Sequence, residues 1–284
     1  MTERLADVSA RIEGIRQLGA VVNAMKGIAA ARAGTARAEI KAVDSYAATI
    51  SSAISNALGP ADPASPIAPA MSQADGSTAL LVFCAEQGFA GAFSERILDS
   101  IENDLSTVSL FLIGTRGQSI TAARGVRPVW SASMPSHTPG IPKLADTIVK
   151  AIYRGLGEGR FRRMDMVHAG WAAGHPQITR QVLFPVDLSG LPPPGAIPPL
   201  TQVPRELLIN SLSGDYLHAL VCRAALHAFA AENEARMEAM SAAGSQIARE
   251  LAAEEATLRQ VRQEAITAEI IELGTGTATA RAAR

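Results

Sequence analysis

The chain has 284 residues, 48% of them apolar but only 4% aromatic, with a formal charge of −1. That near-neutral balance excludes the basic field that nucleic acid or an anionic membrane surface would require. Few bulky aromatics and abundant Ala disfavour one thick core and favour long helices in close contact. The N-terminal MTERLADVSARIEGIR is charged from its start and reads as no signal peptide. No apolar run approaches the roughly 18–20 residues of a membrane span.

Residues 1–58 carry a heptad track. Leu5, Val8, Ile12, Ile15, Gly19, Val22, Lys26, Ala29, Ala33, Ala36, Ile40, Val43, Ala47, Ile50 and Ile54 follow alternating steps of three and four. Gly19 and Lys26 interrupt an otherwise apolar seam. Such a repeat predicts a coiled-coil helix of roughly 85 Å, whose seam needs a partner. Gly59–Ser77 is Pro-rich and reads as a linker, because Pro lacks the backbone donor and fixes φ.

Residues 78–187 alternate between strand and helix. TALLVFC (Thr78–Cys84) and VSLFLIG (Val108–Gly114) read as buried strands, and RPVWSAS as a short one. Helices are expected over SERILDSIENDL, TRGQSITAARG and Ile141–Leu156, and MDMVHAG with QITRQVLFPV reads as a closing hairpin. The alternation predicts an α/β, Rossmann-like, mostly parallel sheet with an antiparallel edge.

A second Pro-rich linker, Ser189–Pro204, precedes residues 205–284. RELLINSL should form a short turn broken at Gly214. From Asp215 a helix should run to Leu273, with a seam of Met237, Met240, Gly244, Ile247, Leu251, Glu254, Leu258, Val261 and Ala265. Glu254 is the one misfit. Matched helices at both ends of the chain predict that 205–284 pairs antiparallel with 1–58. The terminal GTGTATARAAR should fray or offer only shallow contact.

Signals for chemistry are weak. EQGFAGAF (Glu86–Phe93) occupies the first strand-to-helix turn, where a doubly wound fold binds phosphate. Gly88 and Gly91 lack the third glycine of G-x-G-x-x-G, and G-K-[ST] is missing, so a tight turn is expected. A nucleotide-binding enzyme using Gly88–Gly91 is the alternative. Cys84 and Cys222 fit small core residues of a reducing compartment. His137, His168, His175, His218 and His227 form no metal spacing and are expected in loops or at the surface. No catalytic, cofactor or metal site is read.

Three stretches resemble one family. RIEGIRQLGAVVNAMKGIAAARAGTARA (Arg11–Ala38) is similar to the R-I-x-S-I-K…K-I-T-K-A-M-x-M-V-A opening helix of the gamma subunit of F-type ATP synthases. EQGFAGAFS resembles its D-R-G-L-C-G-x-L-N. EARMEAMSAAG…LRQVRQEAITAEIIEL resembles its E-x-x-R-M-x-A-M…R-Q-x-x-I-T-x-E-L, with Glu234, Arg236, Met237, Met240, Arg262, Gln263, Ile266, Thr267 and Glu269 matching. Gln87 in place of Arg and Ala90 in place of Cys mark a divergent bacterial member. An alternative, sodium-pumping F-type ATPase stays open beside a proton-coupled one.

The resemblance implies a non-catalytic rotary shaft inside three alpha and three beta subunits. It implies contacts with an epsilon subunit and a membrane c-ring, and a peripheral place on the cytoplasmic face of the bacterial inner membrane, reached only through the complex. It also implies that Met25, Lys26, Arg262, Gln263 and Thr267 lie where gamma meets loops of the beta subunits. Gln263 and Thr267 are four apart and share a helix face, with Arg262 about 100° round.

Overall fold

The structure, a computed structural model, describes residues 2–59, 77–186, 190–196 and 199–282, and the side chains of all of these save 2–3 and 272–282. Most of the first expected linker and parts of the second lie outside the described residues. The elements run α1 (Thr2–Leu58), β1 (Thr78–Phe83), α2 (Phe93–Asp99), β2 (Ser109–Ile113), α3 (Thr115–Ala123), β3 (Trp130–Ala132), α4 (Ile141–Gly157), β4 (Arg163–Ala172), β5 (His175–Phe184) and α5 (Arg205–Ala282). The α/β class, the long antiparallel terminal helices and the mostly parallel sheet all agree with the expectation from sequence. Two compact units result. A coil unit holds 1–28 and 237–284, and a sheet unit holds 29–236.

In the coil unit the two helices run antiparallel, because contacts that ascend α1 descend α5. Arg4 meets Glu264, Arg11 meets Glu254, and Gly19 meets Ile247. The expected seam is the covered one, with Ile12, Val22, Met240 and Val261 buried. Two interruptions have physical explanations. A methyl on Gly19 would stand 3.3 Å from Ile247 Cγ2, so the missing side chain permits a close helix approach there. Glu254 pairs with Arg11 at 3.1 Å and keeps a side-chain exposure of 21%. The third interruption is corrected: Lys26 is exposed, and the half-buried Met25 takes the seam position between Val22 and Ala29. Steps of four then three, or three then four, both bridge that gap, and the thioether is the cheaper group to cover.

In the sheet unit the strand order is β3-β2-β1-β4-β5. β1 pairs parallel with β2 and β4, β2 pairs parallel with β3, and β5 closes the edge antiparallel to β4. Alternation along β1 splits the core. Leu80 and Val82 pack with Phe93, Ile97 and Leu98 of α2. Leu81 and Phe83 pack with Ile148 and Ile152 of α4, Ala36 of α1 and Leu217, Val221, Ala225 and Phe229 of α5. The first turn of α3 lies against the end of β1. Gly114 has φ +102°, and a Cβ there would sit 2.4 Å from the Cys84 carbonyl oxygen, so only glycine fits.

Two boundaries differ from the reading of the sequence. Helix α5 passes through Gly214 and continues past Leu273 to Ala282. A lone helical glycine costs only about 1 kcal/mol, and neither Gly214 nor Gly274 is followed closely by a proline that would enforce a stop. The described part of the second Pro-rich stretch is tied down. Ser55 Oγ donates to the Pro192 carbonyl, and the Gly195 N–H donates to Asn56 Oδ1 at 2.7 Å.

Candidate functional site

In a doubly wound sheet the ligand crevice opens at the carboxyl ends of the strands where the order reverses, here between β1 and β4. This crevice is filled by the chain itself. Ala231 and Ala235 of α5 pack with Cys84, Ala85 and Ala169. Glu232, 3% exposed, accepts the backbone N–H of Glu86 at 3.1 Å and that of Gln87 at 3.2 Å. Its carboxylate therefore occupies the place a phosphate would take against the first strand-to-helix turn.

Arg236, also buried, neutralises Glu232 at 2.6 Å and donates to the carbonyls of Gly88 at 3.1 Å and Gln87 at 3.3 Å. A fourth bond, at 3.0 Å, reaches the Asn233 side chain. The N–H groups of Glu86 and Gln87 and the carbonyls of Gln87 and Gly88 are thus satisfied from one turn of α5. The turn itself holds Phe89 at φ 63° and Gly91 at φ 58°. The cavity beside it is about 30 Å³, room for one water rather than a nucleotide.

Glu86 does similar work on the other side of the turn. Its carboxylate accepts the N–H of Thr115 at 3.1 Å and that of Met134 at 2.8 Å, and also the Thr115 hydroxyl. A carboxylate at the first turn of α3 meets unpaired backbone donors there. The protein's own acids thus cap the segments that follow β1, β2 and β3 at the carboxyl edge of the sheet.

The five residues assigned to partner contact all lie in the coil unit. Met25 is half-buried, and Lys26, Arg262, Gln263 and Thr267 are exposed. Thr267 Oγ1 donates to the Gln263 carbonyl at 2.8 Å, inside its own helix. The structure does not bring the two groups together. With Val22 beside Gly244, Met25 and Lys26 lie about 20 residues of α5 from Arg262, on the order of 30 Å along the coil. Each group neighbours exposed apolar side chains: Leu18, Val21 and Ile28 near the first, and Ile266 and Ile270 near the second.

Both cysteines are core residues, as expected. Burial pushes the Cys84 thiol up to about 12 and the Cys222 thiol up to about 11, so neither is a ready nucleophile. The expectation that all histidines are peripheral is corrected for two of them. His168 of β4 is only 7% exposed, and it stacks on the half-buried His227 of α5 with ring centroids 5.6 Å apart. His168 sits inside a strand run, MDMVHAG, whose apolar neighbours signalled burial. No sequence signal pairs it with His227. The clamp at Glu232 was also missed. The resemblance marks Glu234 and Arg236, but the clue to Glu232 is its four-residue spacing from Arg236 inside an Ala-rich buried track.

A sequence model of the ATP synthase family matches residues 4–280. The ATP synthase gamma chain of Clostridium perfringens is 24% identical over 275 residues, covering 95% of both chains. That of Bdellovibrio bacteriovorus is 24% identical over 288 residues, covering 96% of this chain and 97% of that one. In solved structures, a chain of the Euglena gracilis mitochondrial ATP synthase OSCP/F1/c-ring assembly, rotational state 3, has a TM-score of 0.64. It is 13% identical, over 98% of this chain and 95% of that one.

Proposed function

Because the chain belongs to the ATP synthase gamma-chain family, we propose that it is the central rotary stalk of an F-type ATP synthase. It turns within three alpha and three beta subunits and engages an epsilon subunit and a membrane c-ring. The subunit is itself non-catalytic and reaches the cytoplasmic face of the membrane through its partners. No helix among the described residues is long and apolar enough to cross a membrane. The observation that carries this reading is the coil unit: two long antiparallel helices whose covered seam is flanked by exposed Leu18, Val21, Ile28, Ile266 and Ile270. Apolar stripes on a two-helix rod suit a surrounding sleeve. The closed crevice at Glu232 supports a role without nucleotide.

A two-helix rod lacks threefold symmetry, so three identical surrounding subunits meet three different faces of it. Each subunit is then biased toward a different conformation in proportion to its differential contact energy, and rotation of the rod cycles those biases. Met25, Lys26, Arg262, Gln263 and Thr267 are the contacts through which the rod would be gripped. A charge-assisted hydrogen bond at such a position is worth about 1.5–3 kcal/mol, enough to couple without locking.

Co-expression with the alpha and beta subunits of the same genome tests the reading. The expected result is a single complex containing all three, whose ATP hydrolysis depends on this chain. Failure to co-assemble, or nucleotide turnover by the chain alone, would overturn it.

A further inference from the structure

The stacked histidines take no part in that role. His168 Nδ1 is buried and finds no hydrogen-bond partner in the protein. An orphaned buried nitrogen in a central strand calls for an explanation. The ring faces His227 from a distance that holds two neutral imidazoles comfortably and two imidazolium ions poorly. The charged groups acting on the pair come from two helices. Arg223 of α5 acts on both rings, and Asp44 of α1 acts on His227 while pairing with Arg223 at 3.7 Å. The cation is thus common to both histidines and its counterion faces only the outer one.

We propose that the His168–His227 stack is an acid-sensitive latch between β4 and α5, closed when both rings are neutral and opened when they take up protons. The latch concerns the docking of the sheet on α5, and it stands whether or not the chain turns in a stalk.

Burial, then His227, holds the His168 imidazole down to about 4, and burial followed by Arg223 lowers that of His227. For a base lowered in the closed form, stability is complete above the ordinary histidine value. The open form gains protons first as pH falls through about 6.5, and the loss saturates once the closed form also titrates, near 4 for His168. The window therefore lies on the mildly acid side of neutrality.

The buried thiols Cys222 and Cys84 report the opening, because separating α5 from the sheet uncovers them. The full chain is treated with a pyridyl disulfide, which reacts under acid conditions, and each rate is normalised to an unprotected thiol at the same pH. Protection in the wild type should fall by roughly thirtyfold between about pH 7.5 and about pH 5, the factor that the His168 displacement alone implies. In His168→Phe with His227→Leu the protection should stay within about threefold over the same range. Wild-type protection that does not change with pH, or an equal loss in the variant, would overturn the latch. Should the variant fail to fold, proton NMR of the wild-type imidazoles decides. Titration of both rings well below the ordinary value, coincident with thiol exposure, supports the latch. Independent titration near about 6.5 with the thiols still protected overturns it.

Discussion

Helix α5 has two characters along its length. Between Leu217 and Arg236 nearly every residue is buried, including the charged Glu232, Glu234 and Arg236. Between Met237 and Ile271 only Met240 and Val261 are, and the charges form pairs at the surface, such as Arg16 with Glu255 at 2.8 Å. The same secondary structure serves opposite ends. In the first stretch a buried, fully bonded ion pair holds the helix to the turn after β1 in one geometry. In the second, exposed pairs worth about 0–1 kcal/mol lend register without commitment. Fixity comes from desolvated charge, and tolerance of sliding comes from its absence.

The contrast predicts its largest effect at Arg236. Arg236→Ala would leave Glu232 buried and unpaired and remove donors from the Gln87 and Gly88 carbonyls. A loss of about 3–5 kcal/mol is expected in urea denaturation of the full chain. A loss below about 1 kcal/mol, the size of a surface pair, would erase the distinction between the two stretches.

Glycines sharpen the comparison at the next level. Gly114→Ala forces a left-handed backbone and drives a methyl into the Cys84 carbonyl, so about 2–3 kcal/mol should be lost. Gly27 in the coil has open space around its missing side chain. Gly27→Ala should instead stabilise by up to about 1 kcal/mol through helix propensity. Opposite signs in thermal unfolding are the expected result, and equal signs would mean that the sheet unit is no more constrained than the coil.

These two regions were also unequally legible from sequence. The coil could be read because its signal is periodic and local, and every position of α5 from Met237 to Ala265 that the repeat selects is buried or half-buried. Lys26 was misplaced because one step of the repeat is degenerate, and side-chain chemistry rather than spacing chose Met25. The sheet could be read from strand runs such as TALLVF. The clamp could not, because Glu232 meets residues 86 and 87 only through the tertiary fold, and a Glu in a helical track looks like a solvated face. The stacked histidines stayed hidden for the same reason. Each lies in an unremarkable local pattern, and only the packing of α5 on β4 joins them.

A smaller effect is expected where the coil breaks its own repeat. Glu254 sits in the seam but reaches Arg11, whose side chain is 68% exposed. Arg11→Ala should cost only about 0.2–1 kcal/mol, and less as salt is raised, because the pair is screened. A loss of several kcal/mol that did not respond to salt would place Glu254 among the buried, fixed charges and move the boundary between the two characters of α5.

The smallest effect on stability is expected where the effect on function should be clearest. Arg262, Gln263 and Thr267 are exposed, and the hydroxyl of Thr267 is satisfied by its own helix. Truncating such side chains changes stability by no more than about 0.5 kcal/mol. Arg262→Ala with Gln263→Ala should therefore leave the folded chain and its assembly with alpha and beta subunits intact, as read by size-exclusion chromatography. If these side chains are the grip proposed above, the assembled complex should hydrolyse ATP more slowly and pump fewer ions per ATP. Losing one charge-assisted bond of about 1.5–3 kcal/mol would slow a step that depends on it by roughly ten- to a hundredfold. The grip and the rod are separable in this design, because the rod is held by its seam and the grip lies outside it. A double variant that assembles fully and retains wild-type turnover and pumping would assign the grip elsewhere on the coil, with the exposed Leu18, Val21 and Ile28 as the next positions to truncate.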